Sequence, residues 1–276
     1  MSNNLLKYLK YTFYFFIKIV LVTSFVSFFL FQILSNNPSH QYFFENNFLL
    51  WYIDAIKLDF GTNRVGGSIL LDILSNVGVS LKYILLSVSL ALSLAIIVRL
   101  FSKNTFINNF IVAPFLSLGF VHLIFLYSII KNISIVHPDI IMIFCLAIGS
   151  GVFYDFYLLL SNSFDNILNK DYSIFARILG YKPYKFARKE LIINTASIIV
   201  SRLPILFGGM IIIEVFTKGT KNSYSGAGLE IFRAFHGANI DYEMAFLYSV
   251  VCVFIFSFFF FFSEFLGDKF GKGQYN

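Results

Sequence analysis

Residues Asp171 to Asn194 read DYSIFARILGYKPYKFARKELIIN, a polar and basic segment set between two long hydrophobic runs. Tyr172, Phe175, Ala176 and Leu179 recur at i, i+3, i+4 and i+7, so one face of a two-turn helix is apolar. Asp171 is the expected N-cap, and Gly180 the expected left-handed residue that ends the helix. Pro183 suits the first turn of a second helix, on which Lys185, Arg188 and Lys189 share a face before the chain turns apolar at Leu191. A short amphipathic helix, a glycine break and a cationic entry into a hydrophobic run make a docking element. The plainer alternative is a basic loop lying on lipid headgroups.

The rest of the composition says what that element is attached to. Of 276 residues, 58% are hydrophobic and 13% charged, with a mean hydropathy of +0.76, too apolar for a soluble domain to bury. The expectation is an all-α, polytopic membrane protein, in contact with lipid and not with nucleic acid. Cys145 and Cys252 fall inside apolar runs, where they read as small core residues without a disulfide. The four histidines lack i, i+4 pairing with carboxylates, so no metal site is expected, and no other cofactor. No Walker-type glycine loop occurs, so any use of ATP would have to come from another chain.

Six spans are expected: Tyr11 or Ile19 to Leu34, Val79 to Val98, Phe106 to Ile130, Ile140 to Leu160, Leu191 to Phe216, and Met244 to Leu266. The first lacks a small-x-small cleavage pattern and is read as retained in the mature protein. The chain thus divides into an N-terminus and first span at 1–34, a first extracytoplasmic loop at 35–78, and a core at 79–276. Within the core, residues 161–190 form a cytoplasmic coupling loop and 217–243 a second outer loop. If the N-terminus is cytoplasmic, the inner segments carry twelve Lys and Arg and the outer segments six. A positive inside then puts both termini and the coupling loop in the cytosol.

The fifth span holds the least expected chemistry. Arg202 sits well inside it, where an unpaired arginine costs about 2.5 to 3.5 kcal/mol, so it should face protein or a watery path. It either lines such a path, pairs with a carboxylate of a partner subunit, or makes a structural ion pair. Pro204, Gly208 and Gly209 follow within two turns and favour a break and close helix approach. Glu214 lies near the end of the span, and Asp155 towards one end of the fourth. The three charged residues are isolated from one another in sequence, which disfavours an embedded enzyme.

Several of these stretches together resemble the permease subunits of ABC importers, specifically the dipeptide, oligopeptide and nickel family. Asp171, Tyr172, Ala176, Arg177, Gly180 and Asn194 match the loop by which such permeases engage their ATPase. Leu58 to Gly61 resembles that family's Gly-Asp-Phe/Leu-Gly, and Gly208, Gly209 with Glu214, Val215, Phe216 resembles its Gly-Gly and Glu-x-Val-Phe signature. Tyr224 to Leu229 resembles its Ser-Trp-Pro-Gly-Leu-Gly-Arg/Leu segment, and Asp241, Tyr242 the Asp-Tyr that starts its last span. Ile198 stands where the family has a proline. The resemblance implies the type I importer fold and a heterodimer with a second permease. It also implies two cytosolic ATPase subunits, an extracytoplasmic solute-binding protein, and a peptide, nickel or a related small solute as cargo. A degenerate permease or non-transporting scaffold is the competing class.

Overall fold

A computed structural model describes residues 2–35, 48, 52–54, 57, 67–101, 113–118, 122–133, 137–149, 151–181, 183–216, 226–236 and 242–271. These are helical almost throughout. In chain order the helices are α1 (Ser2–Ser35), α2 (Ile69–Phe101), α3 (Ala113–Leu118), α4 (Leu123–Ile133) and α5 (Pro138–Ile148). They continue with α6 (Val152–Leu168), α7 (Asp171–Ile178), α8 (Pro183–Phe216), α9 (Ala227–His236) and α10 (Tyr242–Gly271). Among the described residues, four stretches are long and apolar enough to cross a membrane: Thr12–Ile33, Ile69–Arg99, Ile199–Phe216 and Met244–Phe265. A fifth results if α5 and α6, bent by 45°, make one span. Large apolar side chains such as Phe13, Phe25, Leu71, Leu85 and Phe260 point outwards from these helices, a surface suited to lipid and not to water. The chain is a multi-pass, all-helical membrane protein.

Two of the expected spans differ from the helices seen. The helix of the second span starts at Ile69, ten residues before Val79, and Ile69, Ile73, Val77 and Ser80 form one buried stripe at helical spacing through the polar-looking stretch. The fourth span is not one straight helix. Gly149 caps α5 and Gly151 takes φ +74, a backbone state open to glycine, so the chain turns between α5 and α6. Pro138 opens α5 at its first position, and His137 caps it by accepting the Asp139 N–H on Nδ1 at 3.4 Å. Of the expected third span, residues 106–112 and 119–121 lie outside the described residues. The remainder forms α3, with Pro114 in its first turn, and the start of α4. The Asp-Phe-Gly stretch at 59–61 and the segment 217–225 also lie outside.

The chain divides into two compact units. The first comprises Met1–Lys82 and Met210–Phe261. Its core joins Ile19 and Phe31 of α1, the buried stripe of α2, Met210 and Ile213, and Ala245 to Tyr248 of α10. Aromatic edges tie α1 to α10, with Phe31 against Phe246 at 6.1 Å and Phe15 against Phe258 at 5.9 Å between centroids. Lys18 lays its ammonium 5.4 Å from the Phe261 ring, which gives a charge inside an apolar helix a favourable face. The second unit comprises Tyr83–Gly209 and Phe262–Asn276. There α4 packs on α5, α5 meets α6, and α6 meets α7. Cys145, Leu146, Phe153 and Phe156 are fully buried.

Candidate functional site

Three places gather polar or exposed chemistry, and the first is the short helix α7. Its N-cap is Lys170, with extended backbone, so Asp171 is not the cap but the first helical residue. There its carboxylate still complements the positive end of the helix dipole. The other end is as expected. Gly180 takes φ +79, the Tyr181 N–H reaches the Ala176 carbonyl at 2.8 Å, and the Gly180 N–H reaches that of Arg177 at 3.0 Å. This pair of bonds is a Schellman stop, which satisfies carbonyls the helix end would otherwise leave open. Arg177 turns back and donates to the Leu168 carbonyl, fixing the turn between α6 and α7.

Of the apolar face on α7, only Ala176 is buried, beside Ser173. Tyr172, Phe175 and Leu179 of the expected stripe are exposed, together with Ile174, Ile178 and Tyr181. Phe175, Ile178 and Leu179 are 63%, 77% and 55% exposed, more than an eight-residue helix needs for its own packing. The helix sits on its small residues and presents its large ones. Pro183 opens α8 as expected. Lys185 and Arg188 lie in the first turns of α8, and their side chains fall outside the described residues.

The second place is a buried carboxylate. Glu214, two residues from the end of α8, is 0% exposed. Its Oε1 accepts from Ser80 Oγ at 2.6 Å and its Oε2 from the Gly228 N–H at 2.6 Å, while the Ala227 N–H donates to Ser80 Oγ at 3.0 Å. The first N–H groups of a helix have no partner within it. Glu214 and Ser80, from two other helices, satisfy two of those belonging to α9, and the helix dipole adds to the attraction. The cradle is cut to glycine. A Cβ on Gly226 would lie 2.1 Å from Glu214 Oε1, and one on Gly228 would lie 2.5 Å from the Ile211 carbonyl oxygen. In the same unit Asn76 Nδ2 donates to the buried Tyr248 hydroxyl at 2.6 Å, joining α2 to α10.

The third place is an ion pair between α6 and α8. Arg202 Nη2 lies 3.2 Å from Asp155 Oδ2, with the side chains 28% and 30% exposed. Arg202 Nε is shut off from the surface and has no hydrogen-bond partner among the described residues. Pro204 is buried inside α8, which runs on through it. Gly208 and Gly209 are half-buried, and a Cβ on Gly208 would meet nothing within 4 Å, so no close helix approach at Gly208 is seen.

Sequence reading reached Glu214 and Arg202 but not their partners. Asp155 is 47 positions from Arg202, and Ser80 is 134 from Glu214. One signal was available: Gly226-Ala227-Gly228 opening an amphipathic stretch is the pattern of a helix start that accepts an anion, and Glu214 is a nearby acid in an apolar run. No family model matches this sequence, and no curated protein is significantly similar to it.

Proposed function

We propose that the chain is a permease subunit of an ATP-driven importer, with α7 as the element that engages a cytosolic ATPase. The observation that carries this reading is α7 itself. A helix between two long hydrophobic elements ends on a Schellman stop at Gly180 and exposes Phe175, Ile178 and Leu179 on one short segment. Held in a groove of an ATPase, such a helix passes movement to α6 and α8 on either side, and so switches access to a path through the membrane.

In this reading the chain has six spans in the type I importer arrangement, lies in the plasma membrane with both termini inside, and pairs with a second, homologous permease. Two ATPase subunits supply hydrolysis, so the chain is not itself an enzyme. An extracytoplasmic binding protein delivers a peptide, nickel or a related small solute. The excess of Lys and Arg on the proposed inner segments supports the orientation.

The test is affinity purification of the full chain from its native membrane in mild detergent. A second permease and a Walker-type ATPase should copurify, and the ATPase should be lost on Gly180→Val or Phe175→Ala while the chain stays in the membrane. Recovery of the chain alone, or retention of the ATPase by both variants, would overturn the reading in favour of a scaffold or of a loop that only rests on lipid.

A further inference from the structure

One side of α2 is filled by the chain's own packing, and the other side carries a charge that is not matched. Lys82 is exposed and has no hydrogen-bond or ion-pair partner among the described residues. At about 100° per residue it points away from Ile73, Val77 and Ser80, so the Glu214 carboxylate held by Ser80 lies on the far side of the helix. Lys82 also lies inside the apolar stretch Ile69–Arg99. A hydrocarbon core takes about 20 helical residues, and every run of about that length within the stretch includes Lys82. An ammonium turned to lipid in such a span is costly, so Lys82 calls for a partner.

The residues around it say what kind of partner fits. Ser75 and Gly78 precede Lys82 at helical spacing on the same face, and both are exposed. A helical lysine leans towards the N-terminus of its helix, so its stem passes over these two small residues. Leu71 and Leu74 are exposed beside them. A Cβ on Gly78 would meet nothing within 4 Å, which leaves a shallow notch at the middle of the face. Small residues that let backbones approach, joined to one polar group, mark surfaces where membrane helices meet one another. The exposed side of α1 from Val20 to Phe29 is different. Val20, Leu21, Phe25 and Phe29 there are all large and apolar, the surface that lipid tails cover.

We propose that the face of α2 carrying Ser75, Gly78 and Lys82 is the docking surface for a membrane helix of a second, different chain, whose Asp or Glu pairs with Lys82. A second copy of this chain does not fit. Two-fold pairing through one shared face sets each residue near its own copy where the helices cross, and Lys82 would then meet Lys82. The inference deepens the importer reading by giving the face on which the second permease sits. It rests on that reading for the identity of the partner and not for the chemistry of the face.

The experiment places p-benzoylphenylalanine at position 75 of the full chain in its native membrane. After photolysis the crosslinked peptides are identified by mass spectrometry, with the amount of chain in the membrane measured alongside. The expected product joins α2 to an apolar segment of a different chain, with an Asp or Glu within about four residues, one helical turn, of the crosslink. K82Q should lower its yield by about tenfold, the scale of one charge-assisted contact, and K82R should keep it. G78L should abolish it, since the added bulk meets open space in this chain and falls on the partner. If K82Q does not reach the membrane, G78L reads the same contact. The yield lost in K82E should return when the partner's acid is changed to lysine. A product with phospholipid alone would overturn the proposal and set Lys82 at the headgroups. A product with another copy of this chain, a partner segment without an acid, or equal yields in wild type, K82Q and G78L would overturn it too. None of these results touches α7, whereas an acid-bearing partner in a complex without an ATPase would support the face and remove the importer reading.

Discussion

Replacing Glu214 by alanine tests whether the carboxylate holds α9 to the spans. The side chain is fully buried and accepts two bonds of 2.6 Å, from Ser80 Oγ and the Gly228 N–H. The two donors do not fare alike after its removal. Ser80 already faces the Asn76 carbonyl oxygen at 3.3 Å and can turn its hydroxyl there, so its loss is small. The Gly228 N–H is fixed by the backbone at the start of α9, and leaving it without a partner costs about 1–3 kcal/mol. Lost packing around the deleted atoms adds about 1–2 kcal/mol, and relief of the buried charge gives part of this back. The net expectation is about 2–4 kcal/mol for E214A. E214Q differs in kind. Its amide oxygen still accepts from Gly228, and its NH₂ can donate to Ser80 once that hydroxyl turns to Asn76, so about 1 kcal/mol is expected. Thermal melting of the full chain in lipid nanodiscs reads the difference. At roughly 2–4 °C per kcal/mol, E214A should melt about 4–16 °C below wild type and E214Q only a few degrees below. If E214A and E214Q melt together, the hydrogen-bonded carboxylate is not what secures α9.

The glycines of the same cradle should separate by double-mutant analysis. The three atoms nearest a Cβ on Gly226 all belong to Glu214, at 2.1 to 2.7 Å, so G226A should cost about 1–3 kcal/mol in the wild type and less in E214A, measured by the same melts. G228A meets backbone of Ile211 at 2.5 and 2.9 Å, and its cost should persist in the E214A background. At Gly180 a Cβ has open space but φ is +79, so G180V should cost about 1–2 kcal/mol of purely conformational strain. It should raise proteolysis near Gly180 while leaving the global melt nearly unchanged, and G180N should be milder. N76A strips the Asn76 amide from the Tyr248 hydroxyl, and about 1 kcal/mol is expected; N76A/Y248F should cost no more than N76A alone, since the bond is then absent from both sides.

Periodicity and composition determined much of this protein before any coordinates. The run of apolar helices follows from 58% hydrophobic residues that no soluble core could hold, and the ends of α7 and the start of α8 follow from Gly180 and Pro183, whose backbone preferences act locally. The cap was misassigned by one residue because a helix start is decided by which backbone unit turns extended, and Lys170 does so without a side-chain bond. What the tertiary structure decided is partnership. The α2 stripe from Ile69 and the bend at Gly151 are packing outcomes, and so is the exposure of Phe175 and Leu179 beside a buried Ala176. Charges follow the same rule. Asp155, Arg202, Ser80 and Glu214 are each legible as polar residues in apolar runs, but a carboxylate in a low-dielectric interior takes whichever donors the fold brings within about 3 Å. Sequence shows that a buried charge needs a partner; only the packing of helices distant in the chain determines which one.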